Sequence, residues 1–328
     1  MSADPTPCWV ISDGRRGIEN QVLGLAEAVS RLHPCDIRTQ IIKTSETFTA
    51  LPPNLQFILK PQPGDYGLPH PLTPPPRLAI GCGRQAIAPL RTLKKTYGPD
   101  IFTVYVQAPR INPKRFDLVI VPTHDRVRAK NIVTMTGSPN RITPDRLRTE
   151  MKPFLARLKT LPAPRVTVLI GGDSKTHILD KTIHAQHLDA IHTLLGQHMS
   201  LLITSSRRTP DWVKADYQAL SDSHKRVWFW NGVGENPYFA FLGSANAILV
   251  TEDSTNMLTE ACATGKPVFT LPMSGKPGKF AKLYTELSQR CHVSPFMGSI
   301  DATAYDPLDE TARIANIVLE RLEHMGTI

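Results

Sequence analysis

The chain has 328 residues, 41% of them hydrophobic, and carries 38 Lys+Arg against 29 Asp+Glu for a net charge of +9. That length suits two domains of roughly 150 residues each and not one core. No apolar run approaches the ~20 residues of a helical membrane span, and the five cysteines (Cys8, Cys35, Cys82, Cys262, Cys291) lack CxxC spacing, which argues against a disulfide scaffold or a zinc site.

The first half alternates strands and helices. Strands are predicted at 8–12, 37–42, 78–80, 101–106, 118–121 and 132–135, with helical apolar spacing from Ile18 to Leu32. Short continuous apolar runs of this kind suit strands buried on both faces of a parallel sheet. Residues 60–76 hold seven prolines and read as an extended loop. The pattern breaks at Lys159-Thr160-Leu161-Pro162-Ala163-Pro164, the expected interdomain linker. It then restarts with strands at 166–170, 201–204, 227–230, 247–250 and 268–271 and helices over 184–195 and 238–242. The segment 309–325 is amphipathic, with Ile314, Ile317, Val318 and Leu322 on one face. The expected fold is α/β: two Rossmann-like doubly wound domains, 1–160 and 161–305, facing a central cleft.

Charge divides unevenly between these halves. Residues 1–155 carry 21 Lys+Arg against 12 Asp+Glu, whereas residues 156–328 carry 17 of each. A basic first domain attracts anionic partners, such as acidic lipid headgroups or a phosphorylated acceptor, or is a solvated surface that aids solubility. Nucleic acid is not expected, since there is no basic tail and the cations are not interleaved with aromatics. The start, Met1-Ser2-Ala3-Asp4-Pro5, has neither a basic n-region nor an apolar h-region, so the expected location is the cytoplasm, with peripheral attachment to the inner face of the membrane as an option.

The residues that carry chemistry follow strand ends. In Thr251-Glu252-Asp253-Ser254-Thr255-Asn256 a buried strand runs into a polar loop and a helix start, where unpaired backbone N–H groups favour phosphate. Ser254, Thr255 and Asn256 are the expected diphosphate loop, and Asp253 is read as a helix cap. Glu260, about two turns along, is placed to accept hydrogen bonds from ribose hydroxyls. Gly171, Gly172 and Lys175 follow the first strand of the same domain, where glycines let backbone approach a ligand. Arg207 or Arg208 can grip a diphosphate through a bidentate fork. Asn231 closes the aromatic run Trp228-Phe229-Trp230, which either walls a nucleobase or belongs to the core.

In the first domain, Arg15, Arg16 and Glu19 lie on the turn after the first strand, and Arg84 lies in Gly81-Cys82-Gly83-Arg84-Gln85-Ala86. These four are expected on the acceptor side. The GxGxxA spacing sits on a late strand without the acidic partner of a dinucleotide site, so a nicotinamide cofactor is not expected. Asp13 and His124 are the two candidate bases for deprotonating an acceptor hydroxyl. No DxD or HxxxH motif occurs, so neither a metal nor a bound cofactor is expected.

Asp253-Ser254-Thr255-Asn256-Met257 through Glu260-Ala261 and Thr264-Gly265-Lys266-Pro267-Val268 resembles the bacterial branch of the mitochondrial fission "elongated mitochondria" family. Further matching pieces are residues 14–21, 81–85, 106–110, 121–125, 136–137 and 171–172. The second half is similar to the donor domain of glycosyltransferases and sugar-nucleotide 2-epimerases of GT-B architecture. That resemblance implies a ribose-binding role for Glu260 and a diphosphate-binding role for Ser254, Thr255 and Asn256. It also implies a last helix that crosses back, so that residues 306–328 join the first domain. The first half departs from the lipid-linked peptidoglycan transferase, lacking its long glycine run and catalytic His loop. The leading expectation is a metal-independent glycosyltransferase that moves sugar from a nucleotide diphosphate to an anionic or membrane-surface acceptor. A nucleotide-sugar epimerase and a non-catalytic protein-recruiting scaffold are the alternatives.

Overall fold

A computed structural model describes residues 4–59, 61–69, 75–301 and 305–326. The chain forms two compact units, Met1–Arg141 with Asp309–Ile328, and Ile142–Leu308.

The first unit opens with β1 (Thr6–Ser12), α1 (Arg16–Leu32) and β2 (Cys35–Ile41), followed by two short helices, α2 (Glu46–Ala50) and α3 (Pro53–Ile58). Next come β3 (Leu78–Cys82), α4 (Ile87–Tyr97), β4 (Phe102–Val106), β5 (Leu118–Pro122) and β6 (Ile132–Met135). All six strands are parallel, in the order β2-β1-β3-β4-β5-β6. Period-two side-chain alternation explains the continuous apolar runs. Cys8 and Val10 of β1 pack with Val22, Leu25 and Val29 of α1, whereas Trp9 and Ile11 pack with Leu90 and Leu93 of α4. The proline-rich stretch is not wholly extended: Pro63–Tyr66 form a 3-10 turn that buries Tyr66 edge-on to Phe48 at 5.7 Å. Its residues 60 and 70–74 lie outside the described residues.

The second unit begins before the expected linker. Helices α5 (Pro144–Met151) and α6 (Leu155–Lys159) belong to it, because Leu147 packs with Leu242 and Ala245 and Leu158 packs with Trp228 and Phe241. The unit continues through β7 (Arg165–Ile170), β8 (His177–Ile178), α7 (Lys181–Gly196), β9 (Ser200–Ser205), α8 (Asp211–Ser223) and β10 (Val227–Trp230). Then follow α9 (Tyr238–Ser244), β11 (Ala247–Thr251), α10 (Thr255–Cys262), β12 (Val268–Leu271), β13 (Ser274–Gly275), α11 (Ala281–Cys291) and β14 (Ser294–Pro295). The main sheet is parallel, in the order β10-β9-β7-β11-β12-β14, and β13 pairs antiparallel with β8. Numbered within the unit, this is the 3-2-1-4-5-6 order of dinucleotide-binding folds, whose topological switch point lies between β7 and β11.

The final helix, α12 (Glu310–His324), belongs to the first unit. Its Ile314, Ala315, Val318 and Leu322 join the α1 side of that core. Glu310 accepts from the Thr136 N–H at 3.0 Å, and Thr311 Oγ1 accepts from the Asn140 N–H at 3.1 Å. These bounds redistribute the charge: the first unit carries 20 Lys+Arg against 14 Asp+Glu, +6, and the second 18 against 15, +3. The expected split of +9 and zero softens because Arg146, Arg148 and Lys152 pass to the second unit and acidic α12 to the first.

Helix α1 approaches the chain closely at Gly24, where an added Cβ would collide with the Asn140 carbonyl. Backbone cannot step aside as a flexible side chain does, so Gly24→Ala is expected to lower stability by about 1–3 kcal/mol. Urea denaturation checks this; an unchanged midpoint would contradict the packing.

Candidate functional site

The switch point of the second unit is built around one buried carboxylate. Asp253 follows β11, and its side chain is fully buried. Its Oδ2 accepts from the Gly172 N–H at 3.1 Å and from an Arg208 Nη2 at 2.6 Å, and its Oδ1 accepts from the Thr251 hydroxyl at 2.7 Å. The other guanidinium nitrogen of Arg208 donates to the carbonyls of Gly172 and Asp173 at 2.8 and 2.9 Å. Thr251 Oγ1 accepts from the Gly171 N–H at 2.7 Å, and the Thr209 hydroxyl donates to the Gly171 carbonyl. Three loops, those after β7, β9 and β11, are thereby tied together.

This arrangement changes what several residues do. A Cβ on Gly171 would overlap the Asp253 carboxylate, and one on Gly172 would overlap the Arg208 carbonyl. Both glycines therefore serve an internal close approach. Asp253 is not the helix cap; Ser254 is, its Oγ accepting from the Met257 N–H at 3.4 Å. Arg208 has its fork engaged by Asp253 and two carbonyls, whereas Arg207 and Lys175 are exposed. Thr255 and Asn256 form the half-buried first turn of α10, at the positive end of its dipole.

Glu260 lies further along α10 and is half-buried. Its carboxylate accepts a hydrogen bond from the Tyr238 hydroxyl at the start of α9. Burial pushes the Glu260 carboxyl up to about 7, with the Tyr238 bond pulling the other way. Asn231 is exposed, its carbonyl accepting from the Val233 N–H at 3.1 Å and its amide donating to Gln218 at 3.3 Å. The aromatic run beside it is core: Trp228 and Phe229 are buried, Trp228 meets Phe241 edge-on at 4.7 Å, and Trp230 donates to the Val233 carbonyl at 3.0 Å. Lys266 donates to the carbonyls of Leu242 and Gly243 at 2.5 and 2.6 Å. It closes the end of α9, and burial lowers its amine to about 8.

In the first unit the strand order reverses between β1 and β3, and the expected residues there are largely paired. Asp13 accepts at Oδ1 from the Arg15 N–H at 3.1 Å and at Oδ2 from the Arg15 guanidinium at 2.9 and 2.6 Å. That bond raises the Arg15 guanidinium further. Glu19 accepts a long hydrogen bond from Ser12 at 3.5 Å, and Arg84 donates to the carbonyls of Ala50 and Leu51 at 3.0 and 3.2 Å. Arg16 is exposed. His124 is buried in the 3-10 turn after β5, its Nε2 3.8 Å from an Asp125 oxygen. Sequence reasoning gave no role to Gln107, which follows β4 at φ +96 with its N–H on the Ile120 carbonyl at 2.8 Å. A non-glycine residue in that region is strained by about 1–3 kcal/mol.

Doubly wound parallel units of this kind are the parts of GT-B proteins, and solved structures bear the likeness out. A UDP-GlcNAc 2-epimerase from Methanocaldococcus jannaschii, solved with UDP-GlcNAc and UDP, aligns with 96% of this chain and 99% of its own at a TM-score of 0.52 and 14% identity. A further UDP-N-acetylglucosamine 2-epimerase structure gives 0.55 and 15% over 99% and 97%. At that identity the likeness establishes the fold. The chain itself belongs to the mitochondrial fission ELM1 family, whose model matches residues 16–322. It is 30% identical to the mitochondrial fission protein ELM1 of Arabidopsis thaliana over 76% of its length and spans 65% of that protein's. It is 24% identical to an uncharacterised Rickettsia prowazekii protein over 94% and 97%.

Two measurements probe this geometry. Asp253→Ala strips acceptors from Gly172, Thr251 and Arg208 at once and is expected to cost about 3 kcal/mol, the loss of a buried ion-pair partner; a variant as stable as the parent would contradict the keystone role. For Glu260 the folded carboxyl, at about 7, lies above its ordinary 4.5. The folded state therefore holds more protons than the unfolded one across that window, and stability falls as pH rises through it. Glu260→Gln should remove roughly 2–3 kcal/mol of that decline. Parallel pH–stability curves for parent and variant would contradict the assignment.

Proposed function

We propose that the second unit binds a nucleotide-diphosphate sugar at the carboxyl edge of its sheet and that the protein transfers the sugar without a metal ion. The observation that carries the reading is the switch point between β7 and β11. There the Asp253–Arg208 network holds three loops in place beside the first turn of α10. Ligands of open α/β sheets bind at that position. The start of α10 at Ser254, Thr255 and Asn256, with Arg207 and Lys175, would face the diphosphate. Glu260, oriented by Tyr238, would accept from ribose hydroxyls. The Methanocaldococcus jannaschii epimerase of like fold, solved with UDP-GlcNAc and UDP, supports the ligand class.

The acceptor, of anionic or membrane-surface character, and its base fall to the first unit in this reading. Of the two candidate bases, Asp13 has both oxygens occupied by Arg15, so His124 beside Asp125 is preferred. It would take the acceptor hydroxyl proton as the acceptor oxygen bonds to the anomeric carbon and the bond to the diphosphate breaks. Arg207 and the α10 dipole would then stabilise the departing charge. A recruiting scaffold is the second reading, favoured by membership of a family named for mitochondrial fission.

Titration calorimetry with uridine, guanosine and thymidine diphosphates tests the donor site. At least one is expected to bind more tightly than ~1 mM, with Glu260→Ala and Arg207→Ala each weakening it by roughly 1.5–3 kcal/mol. Absence of binding by all three would contradict the transferase and leave the scaffold. Binding unaffected by Glu260→Ala would contradict the ribose contact.

A further inference from the structure

Helix α3 is inside out for a helix of a globular domain. Its polar Gln56 is buried, donating to the carbonyls of Phe48 and Leu51 at 2.8 and 3.0 Å. Phe57 faces α4, with the Arg91 guanidinium 3.8 Å and the Lys95 amine 5.8 Å from its ring centroid. These contacts fix the rotation of the segment. Its aliphatic residues are thereby turned to solvent: Leu55 is 47% exposed, Ile58 69% and Leu59 63%. Single exposed aliphatics are ordinary, but three grouped on one short element while a glutamine is buried behind them mark an interaction surface.

The surrounding charge identifies what it meets. Helices α2, α3 and α4 carry one acidic residue, Glu46, against Arg91, Lys94 and Lys95. Arg91 is buried over Phe57 and Lys94 is paired with Asp117 at 2.8 Å, which leaves Lys95 as the exposed cation of the three. Arg84 anchors the turn between α2 and α3 through the carbonyls of Ala50 and Leu51, and the unit as a whole carries +6. An apolar tip beside the exposed cations Lys95 and Arg84, on a unit of net positive charge, is complementary to an anionic bilayer, where aliphatic side chains enter the headgroup–acyl boundary and lysine and arginine stay at the phosphates. We propose that Leu55, Ile58 and Leu59 of the α3 segment dock the protein reversibly onto an anionic lipid surface. Three side chains are too few for lasting insertion, so attachment requires anionic lipid and weakens with salt. The proposal supplies a source for the acceptor side of the functional reading, yet rests on none of its nucleotide residues.

Co-sedimentation of the full chain with phosphatidylglycerol-containing vesicles and with pure phosphatidylcholine vesicles tests it. The parent is expected to pellet with the former at low salt, to be released by added salt, and to ignore the latter. The double variant I58S/L59S should partition about tenfold more weakly with an unchanged melting temperature, and K95E should also weaken binding. Failure to pellet with anionic vesicles, or equal binding by I58S/L59S, overturns the proposal. So does a parent dimer that I58S/L59S converts to a monomer, which would make the patch an interface between copies. Nucleotide calorimetry reads different residues, so either reading can fail while the other stands.

Discussion

The Asp253 carboxylate, buried behind Gly171 and shared by Arg208, Thr251 and the Gly172 N–H, is the interaction on which the second unit's edge depends. A buried charge is tolerated when it is paired and hydrogen-bonded. Here the partners come from the loops after β7 and β9 and from the end of β11, so satisfying the charge also fixes the two loops against the one that carries Asp253. Glycine is required at 171 and 172 because the carboxylate and the Arg208 carbonyl occupy the space of any side chain. Arg207 and Lys175, exposed cations of two of these loops, are the ones the proposed diphosphate contact draws on, and a frame held in place beforehand lowers the cost of such binding.

The first unit repeats the logic with different chemistry. At its own strand reversal Asp13 is gripped by Arg15, and Arg84 is drawn onto the carbonyls of α2 and the residue after it. Cations that look free in the sequence are thus committed to shaping loops. The remaining asymmetry lies in α3, where packing of Gln56 and Phe57 leaves aliphatic side chains outside.

Much of the fold was legible. Continuous apolar runs such as 247–250 and 118–121 mark strands covered on both sides. The amphipathic pattern of 309–325 shows which face α12 buries, against the α1 side of the first unit's core. What was not legible depends on long-range partners. The domain crossing lies at Arg141–Ile142 because Leu147 and Leu158 find their contacts far along the chain, which no local pattern announces. Asp253 read as a helix cap because its partners, Arg208 and Gly172, are 45 and 81 residues away. Burial elevates the Glu260 carboxyl, and its hydrogen bond comes from Tyr238, 22 residues upstream, so neither shows in the local pattern. A helix as short as α3 gives too few residues for periodicity to show which face is buried.

We propose that the frame around Asp253 presents a nucleotide-diphosphate site. Amide hydrogen exchange, with and without saturating uridine, guanosine or thymidine diphosphate, reads that frame directly. Slower exchange is expected, with at least one of them, in residues 171–175, 206–209 and 254–257, with the first unit's sheet unchanged. Exchange in those three segments that is indifferent to every nucleotide would contradict it.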